Sequence, residues 1–207
     1  IGNTTLGFWG LTNATTQKIE DITYTLHNDV GYLARVNYSL KDKYHFNASI
    51  RRDGSSVFGM GRKWGNFPAI GAAWTISDES FMGETKGWLD YLKIKASWGM
   101  NGNQSLAPYE TLSRMEMGVS GGHTGYFDGK PVFGQAMTTL GNPLLGWETT
   151  TSWNAGWEAD LLGRRLHWEV DTYKSSTTDQ IFSRKIPVMG SGITSQSATM
   201  GQVDNWG

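Results

Sequence analysis

The sequence predicts an all-β fold of long antiparallel strands, and three observations carry that prediction. Glycine (27 residues), tryptophan (10) and aromatic residues as a whole (13%) are abundant, while charged residues make up only 18%; this composition suits strands and turns better than helices. Between Tyr38 and Trp74 hydrophobicity alternates on either side of a tight turn, which is the period-2 signature of a strand with one apolar face. The turns are also asymmetric: short ones join the strands at one end and long glycine-rich loops join them at the other.

Bulk properties narrow the function. A formal net charge of -1 leaves no footprint for a polyanion, so nucleic acid is not an expected partner. Without cysteine there are no disulfides, thiolate metal sites or cysteine nucleophiles. The opening IGNTTLGFWG lacks the basic and apolar regions of a signal peptide. The chain starts at Ile1 and stops at Trp206-Gly207 where a strand is beginning, so a fragment is expected. No apolar run is long enough for a membrane helix, but a spanning strand needs only about 9–11 alternating residues.

Residues 1–21 read as loop. Alternation runs from Ile22 to Leu40, with a bulge or kink expected at His27-Asn28-Asp29. Lys41-Asp42-Lys43 turns the chain, and a three-residue turn pairs Leu40 with Tyr44, Tyr38 with Phe46, Val36 with Ala48 and Ala34 with Ile50. The second strand ends near Asp53, where Asp53-Gly54-Ser55-Ser56 signals a loop. A third strand covers Gly65 to Ser77, with Pro68 tolerated near its start. Residues 78–89 predict a connector with a short helical turn capped by Ser77 or Asp78.

The fourth strand, about Asp90 to Met100, alternates Leu92, Ile94, Ala96 and Trp98 with Lys93, Lys95 and Ser97. Residues 101–146 read mostly as loop, long enough to be functional. The fifth and sixth strands, Trp147 to Leu162 and Leu166 to about Phe182, meet at a two-residue turn, Gly163-Arg164. That register pairs Leu161 with Leu166, Ala159 with Trp168 and Trp157 with Val170 on one face. On the other it pairs Asp160 with His167 and Glu158 with Glu169. Residues 183–196 read as loop, and a seventh strand starts near Thr199.

A soluble core and a lipid tail impose the same alternation on a single strand. Two lysines on the inner face of the fourth strand, and a hairpin with one face wholly ionisable, are costly in a dry core and ordinary in a water-filled lumen. A β-sandwich could use the aromatic faces as its core, but the strand lengths and loop asymmetry favour a transmembrane β-barrel segment of six to seven strands. The rival readings are a soluble all-β carbohydrate-binding module and a barrel hydrolase.

Six pieces also resemble the SusC/RagA-like family of TonB-dependent outer-membrane transporters, in that family's order and spacing. They are RVNYSLKDKY (35–44), SIRRDGSSVFG (49–59), KWGNFPAIGAAWTISDESFM (63–82), LKIKASWGMNGNQ (92–104), LGNPLLGWETTTSWNAGWEADLL (140–162) and GQVDNWG (201–207). The chain departs from the family pattern at Val57, near which the family carries a basic residue, and at Ala69, near which it carries a serine. The resemblance implies part of the C-terminal half of a roughly 22-stranded barrel in the outer membrane of a Gram-negative bacterium. It implies three further parts outside this chain: a plug, a TonB box coupling to TonB, and a SusD-like surface lipoprotein acting as lid. Residues 1–207 are then one partial barrel domain, importing oligosaccharide or, as the second choice, oligopeptide.

Candidate residues follow from these placements. Tyr38, Phe46, Trp74, Trp98, Trp153, Trp157 and Trp168 are expected to face lipid. Arg51, Arg52, Trp64, Tyr126 and Phe127 are candidates for contact with substrate or lid, and Arg62 and Lys63 join Arg51 and Arg52 in a basic cluster at one loop base. Glu158 and Glu169 would face each other at about 5 Å, the spacing of a retaining glycosidase pair; lumen-facing ion pairing is the preferred reading. Asp160 and His167 mimic a base and its orienter, but Ser152 is eight residues up the strand. The histidines His27, His45, His123 and His167 have no metal-site spacing, and Gly59-Met60-Gly61 lacks the context of a phosphate loop. The N-x-[ST] matches at Asn3, Asn13, Asn37, Asn47 and Asn103 are read as chance. No catalytic residue, metal or cofactor is expected.

Overall fold

The alternating segments form one antiparallel meander. In the computed structural model, which describes residues 24–117, 124–187 and 193–207, seven strands make a single open sheet. They are β1 (Asp29–Leu40), β2 (Tyr44–Ser55), β3 (Trp64–Thr75), β4 (Leu89–Asn103), β9 (Glu148–Leu161), β10 (Leu166–Thr178) and β13 (Gln202–Trp206), in the order β1-β2-β3-β4-β9-β10-β13. All six pairings are antiparallel. The architecture is an unclosed stretch of barrel wall. Loops 104–147 and 179–201 are inserted at one end without changing the order of the wall strands.

The predicted registers hold at both hairpins. Leu40 pairs with Tyr44, Tyr38 with Phe46, Val36 with Ala48 and Ala34 with Ile50. Leu161 pairs with Leu166, Trp157 with Val170 and Glu158 with Glu169. The second turn differs from expectation in length: residues 162–165 form it, with Leu162, Gly163 and Arg164 all at positive φ. Lys41 and Asp42 also have positive φ in the first turn. Left-handed residues there keep both turns short.

Several element boundaries are corrected. Residues 24–28 are not strand, and His27 makes contacts in place of a bulge: its Nε2 lies 2.9 Å from Asp29 Oδ1 and 2.9 Å from the Gln104 side-chain amide. β2 and β4 each run beyond the expected end. β10 stops at Thr178 because Asp179 takes a left-handed conformation, φ 57°. The connector forms two 3-10 turns, Ile76–Asp78 and Ser80–Thr85, whose N-caps are Thr75 and Glu79, without side-chain capping bonds, rather than Ser77 or Asp78.

The expected loops contain structure. Within 104–147, β5 (Arg114–Met117) pairs with β8 (Gln135–Thr139), and β6 (Thr124–Phe127) pairs with β7 (Lys130–Phe133). β11 (Ile181–Lys185) pairs with β12 (Ser195–Thr199), so the seventh wall strand begins at Gln202, not Thr199. The expected loop 1–21, the strand start at Ile22, Asn3, Asn13 and His123 lie outside the described residues.

The described chain packs a small core where the long loops meet the wall. Val57, Phe58, Leu106 and Leu145 are buried together, with Trp147 and Ile181 against them. β3 and β4 stop pairing at Ala69–Gly99. Above that point Phe67 lies so close to Gly102 that a Cβ there would come within 2.0 Å of the ring. The sheet itself buries little: Tyr32, Leu33, Val36 and Trp168 are among its exposed residues. Its stability as a wall depends on whatever medium covers its two faces.

Candidate functional site

Alternation divides the chemistry of the wall between its faces. Register alone puts Lys93 and Lys95 of β4, Glu158 and Asp160 of β9, and His167, Glu169 and Asp171 of β10 on one face. Lys93 Nζ lies 3.2 Å from Glu158, which also accepts a hydrogen bond from the Tyr91 hydroxyl at 3.2 Å. Lys95 Nζ reaches Glu169 at 2.6 Å and Asp171 at 3.1 Å. His167 Nδ1 and Asp160 Oδ1 are 2.6 Å apart. Four carboxylates thus meet two lysines and one histidine in a ladder across three strands, a solvated polar surface with acid in excess.

Lys95 is on β4 and its acids are on β10, one strand further away. Gly156 of β9 stands between them, opposite both Lys95 and Asp171. A Cβ at Gly156 would come within 2.0 Å of Asp171 Oδ1 and 2.7 Å of the Val170 carbonyl oxygen. The missing side chain therefore leaves the gap through which the lysine crosses the middle strand. A lone glycine inside a strand signals such a close approach, and that signal could have located the ladder's centre in the sequence.

The ladder fits ion pairing rather than hydrolysis. Glu158 and Glu169 do oppose each other, but each has its own lysine. Ser152 bonds Ser175 Oγ at 3.2 Å; eight strand residues, about 27 Å, separate it from Asp160. Among the described residues no group of three or more metal-ligating side chains gathers.

The five substrate or lid candidates do not come together. Arg51 is on the polar face, ion-paired with Asp53 and 5.7 Å from the Phe67 ring centre, with Asn101 at 3.5 Å. Arg52 is on the opposite face, 5.1 Å over the Trp64 ring, which in turn stacks with Tyr32 at 6.3 Å. Gly54 makes room for that indole, since a Cβ there would come within 2.8 Å of it. Tyr126 and Phe127 belong to the β6–β7 hairpin, and both are 78% exposed. Arg62 flanks Gly146, while the Lys63 carbonyl accepts the Trp147 indole N–H at 3.1 Å.

The seven aromatic residues expected to face lipid share one side of the sheet by register. Trp98 and Trp153 pair directly with ring centres 5.9 Å apart, and Trp157 meets Trp168 edge-on at 6.2 Å. At the short-turn end Tyr44 stacks with Trp74 at 6.1 Å. Glu79 in the connector accepts the Tyr44 hydroxyl at 2.6 Å, the Trp74 indole at 3.3 Å and Lys43 Nζ at 3.4 Å. The Tyr44 hydrogen bond, then that of Trp74, holds the Glu79 carboxyl below the usual carboxylate range. Nothing in the sequence pattern pointed to Glu79, because its partners come from two strands and a turn.

A family model described as TonB dependent receptor-like, beta-barrel matches residues 3–207. The TonB-dependent receptor P39 of Formosa agariphila is 40% identical over 183 residues, which is 88% of this chain and 17% of that protein. The TonB-dependent receptor SusC of Bacteroides thetaiotaomicron is 32% identical over 189 residues, 91% of this chain and 19% of that protein. Among solved structures, the RagAB peptide transporter superposes with a TM-score of 0.73 at 27% identity, covering 87% of this chain and 19% of that one. The RagAB peptide importer in its open-open state gives a TM-score of 0.74 at 27% identity, with the same coverage. The chain therefore spans about a fifth of the length of these relatives.

Proposed function

The chain belongs to the TonB dependent receptor-like β-barrel family, a family of outer-membrane transporters and receptors rather than enzymes, and on that premise we propose that residues 1–207 are one piece of the wall of a nutrient importer. The observation that carries the reading is the opposed chemistry of the two faces. An aromatic and aliphatic face suits the hydrocarbon layer, and a face of paired ions suits a wet lumen. The long loops and their hairpins then lie outside the cell and the short turns lie in the periplasm. A plug, a TonB-coupling segment and a SusD-like lid would belong to the rest of the assembly. Import would consist of capture under the lid followed by energy-coupled displacement of the plug.

The substrate class we favour is oligosaccharide. The exposed Tyr126–Phe127 pair at a loop hairpin supports it, since flat aromatic faces suit sugar rings. Oligopeptide is the second reading, favoured by the likeness to a peptide transporter. The test is growth and uptake by a strain carrying the full-length transporter, supplied with labelled oligosaccharide pools or oligopeptide pools. Saturable uptake that vanishes when TonB is deleted supports import. Uptake that is indifferent to TonB, or a protein that stays monodisperse without detergent, would sink the proposal.

A further inference from the structure

Loop segments of the wall meet where their strands do not. β1 and β10 are five strand spacings apart in the sheet, about 24 Å. The segment leading into β1 and the β11–β12 hairpin that follows β10 nevertheless contact consecutive residues of one strap, residues 104–113. On one flank the Tyr109 hydroxyl accepts the Leu26 amide at 2.9 Å, and the Gln104 side-chain amide lies 2.9 Å from His27 Nε2. On the other flank the Ser197 hydroxyl donates to Glu110 Oε2 at 3.4 Å. Tyr109 has a φ of 69°, a left-handed conformation that a tyrosine keeps only where its surroundings over-determine it.

Gly141 joins the strap to the hairpin. It is buried, and its amide donates to Ser113 Oγ at 3.1 Å. A Cβ on it would come within 2.3 Å of the Leu112 carbonyl carbon and 2.5 Å of the Ser113 nitrogen, so the two backbones lie directly against each other. Its carbonyl accepts Gln196 Nε2 at 3.0 Å, and Gln196 Oε1 accepts Arg184 at 3.4 Å. The Asn142 amide donates to the Ser197 carbonyl at 3.0 Å and accepts the Leu144 N–H at 3.0 Å. Both ends of the Gln196 and Asn142 amides are thus engaged, and the hairpin cannot swing away without leaving them unpaired. Ile181, at the start of the hairpin, packs against the cluster of Val57, Phe58, Leu106 and Leu145.

We propose that the strap and Gly141 make residues 24–28, 104–113, 139–145, 181–186 and 194–199 one cooperative unit, in which opening or ordering of either flank is passed to the other. Local unfolding runs in such contiguous units, and the coupling is reciprocal. The β5–β8 pair stands on the same base: β5 begins at Arg114, next to Ser113, and β8 ends at Thr139, two residues before Gly141. The inference goes beyond the importer reading and does not depend on it, because the contacts lie within this chain.

The test is hydrogen exchange of the full-length protein, read by mass spectrometry in peptides covering 24–28 on one flank and 194–199 on the other. Gln196→Ala should accelerate exchange about fivefold, the weight of one neutral hydrogen bond. The acceleration should be equal at its own flank and at Leu26 and Asn28, whose amides are bonded to Tyr109 and Ser56. Tyr109→Phe, which removes a single oxygen, should do the converse and release 194–199 by the same factor as Asn28. Gly141→Ala should accelerate both flanks about tenfold or more, since its Cβ meets backbone. Lys185→Ala, at an exposed position of the same hairpin, should change neither. β9 and β10 should keep their protection in all four variants. Acceleration confined to the mutated flank in Gln196→Ala and Tyr109→Phe would overturn the proposal, and so would equal acceleration in β9 and β10. Those two variants decide the matter even where Gly141→Ala fails to fold.

Discussion

Phe58 is the side chain whose removal should unfasten the loops from the wall. It is 2% exposed, with its ring centre 4.7 Å from that of Trp147, and it packs in one cluster with Val57, Leu106 and Leu145. Truncating a buried phenylalanine to alanine costs about 3–5 kcal/mol, of which the aromatic pair accounts for about 0.5–1.5. The loss should be local. The cluster joins segments 56–63, 104–107 and 142–147 above the point where β3 and β4 separate, and the pairing of β9 with β10 does not depend on it. A local opening made easier by 3 kcal/mol is populated roughly a hundredfold more. Hydrogen exchange of the Phe58→Ala protein should therefore accelerate about a hundredfold in peptides covering 56–63 and 142–147, including the Gly59 amide that donates to the Leu145 carbonyl. Peptides from β9 and β10 should keep their protection. Met60→Ala, in the same loop at a residue 95% exposed, should change nothing. Unchanged loop exchange in Phe58→Ala, or equal acceleration in β9 and β10, would refute the view of this cluster as a local clasp.

Three other outcomes follow from the wall. Gly156→Ala should lower the urea midpoint by the equivalent of about 1–3 kcal/mol, the cost of overpacking, because its Cβ meets Asp171 and the Val170 carbonyl; Gly87→Ala, with nothing within 4 Å, should be neutral. The neighbours Ala72 and Ala73 should separate the faces: Ala72→Arg should cost about 2–4 kcal/mol of folding into bilayers if it lies near the midplane, while Ala73→Arg, opposite Lys95 and His45, should be tolerated. Glu79 has a depressed carboxyl pKa when folded, so the unfolded chain binds its proton first as pH falls. Its stabilisation is complete above the ordinary carboxylate range and is lost as pH drops through the depressed value. Glu79→Gln should therefore unfold at lower urea than the parent at neutral pH, and the two midpoints should converge in acid.

Residues with local partners were legible in the sequence. The pairs Tyr38–Phe46 and Glu158–Glu169 follow from parity and a short turn, because a slip of one residue would turn every side chain to the wrong face. The β5–β8 pair and the β6–β7 hairpin look like loop in the sequence because their strands are four or five residues long, too short for alternation to stand out. In the candidate site, Lys93, Lys95, Glu158 and Glu169 are visible from parity as ions of one face. Their matching was not, since it depends on β4 meeting β9 across an insertion of more than forty residues.

By itself the sequence determined that this chain is a two-faced antiparallel wall, because side-chain direction along a strand is set by the pleat and needs no distant partner. It also determined which residues each face carries, down to the tryptophans that share the apolar one. Only the tertiary structure decided that Lys95 crosses Gly156 to Glu169 and Asp171, that Phe58 and Leu145 clasp the loops, and that Glu79 gathers Tyr44 and Trp74. Each of these depends on which strands become neighbours and at what register. That is a property of the assembled sheet, where residues tens of positions apart in sequence come to lie about 5 Å apart.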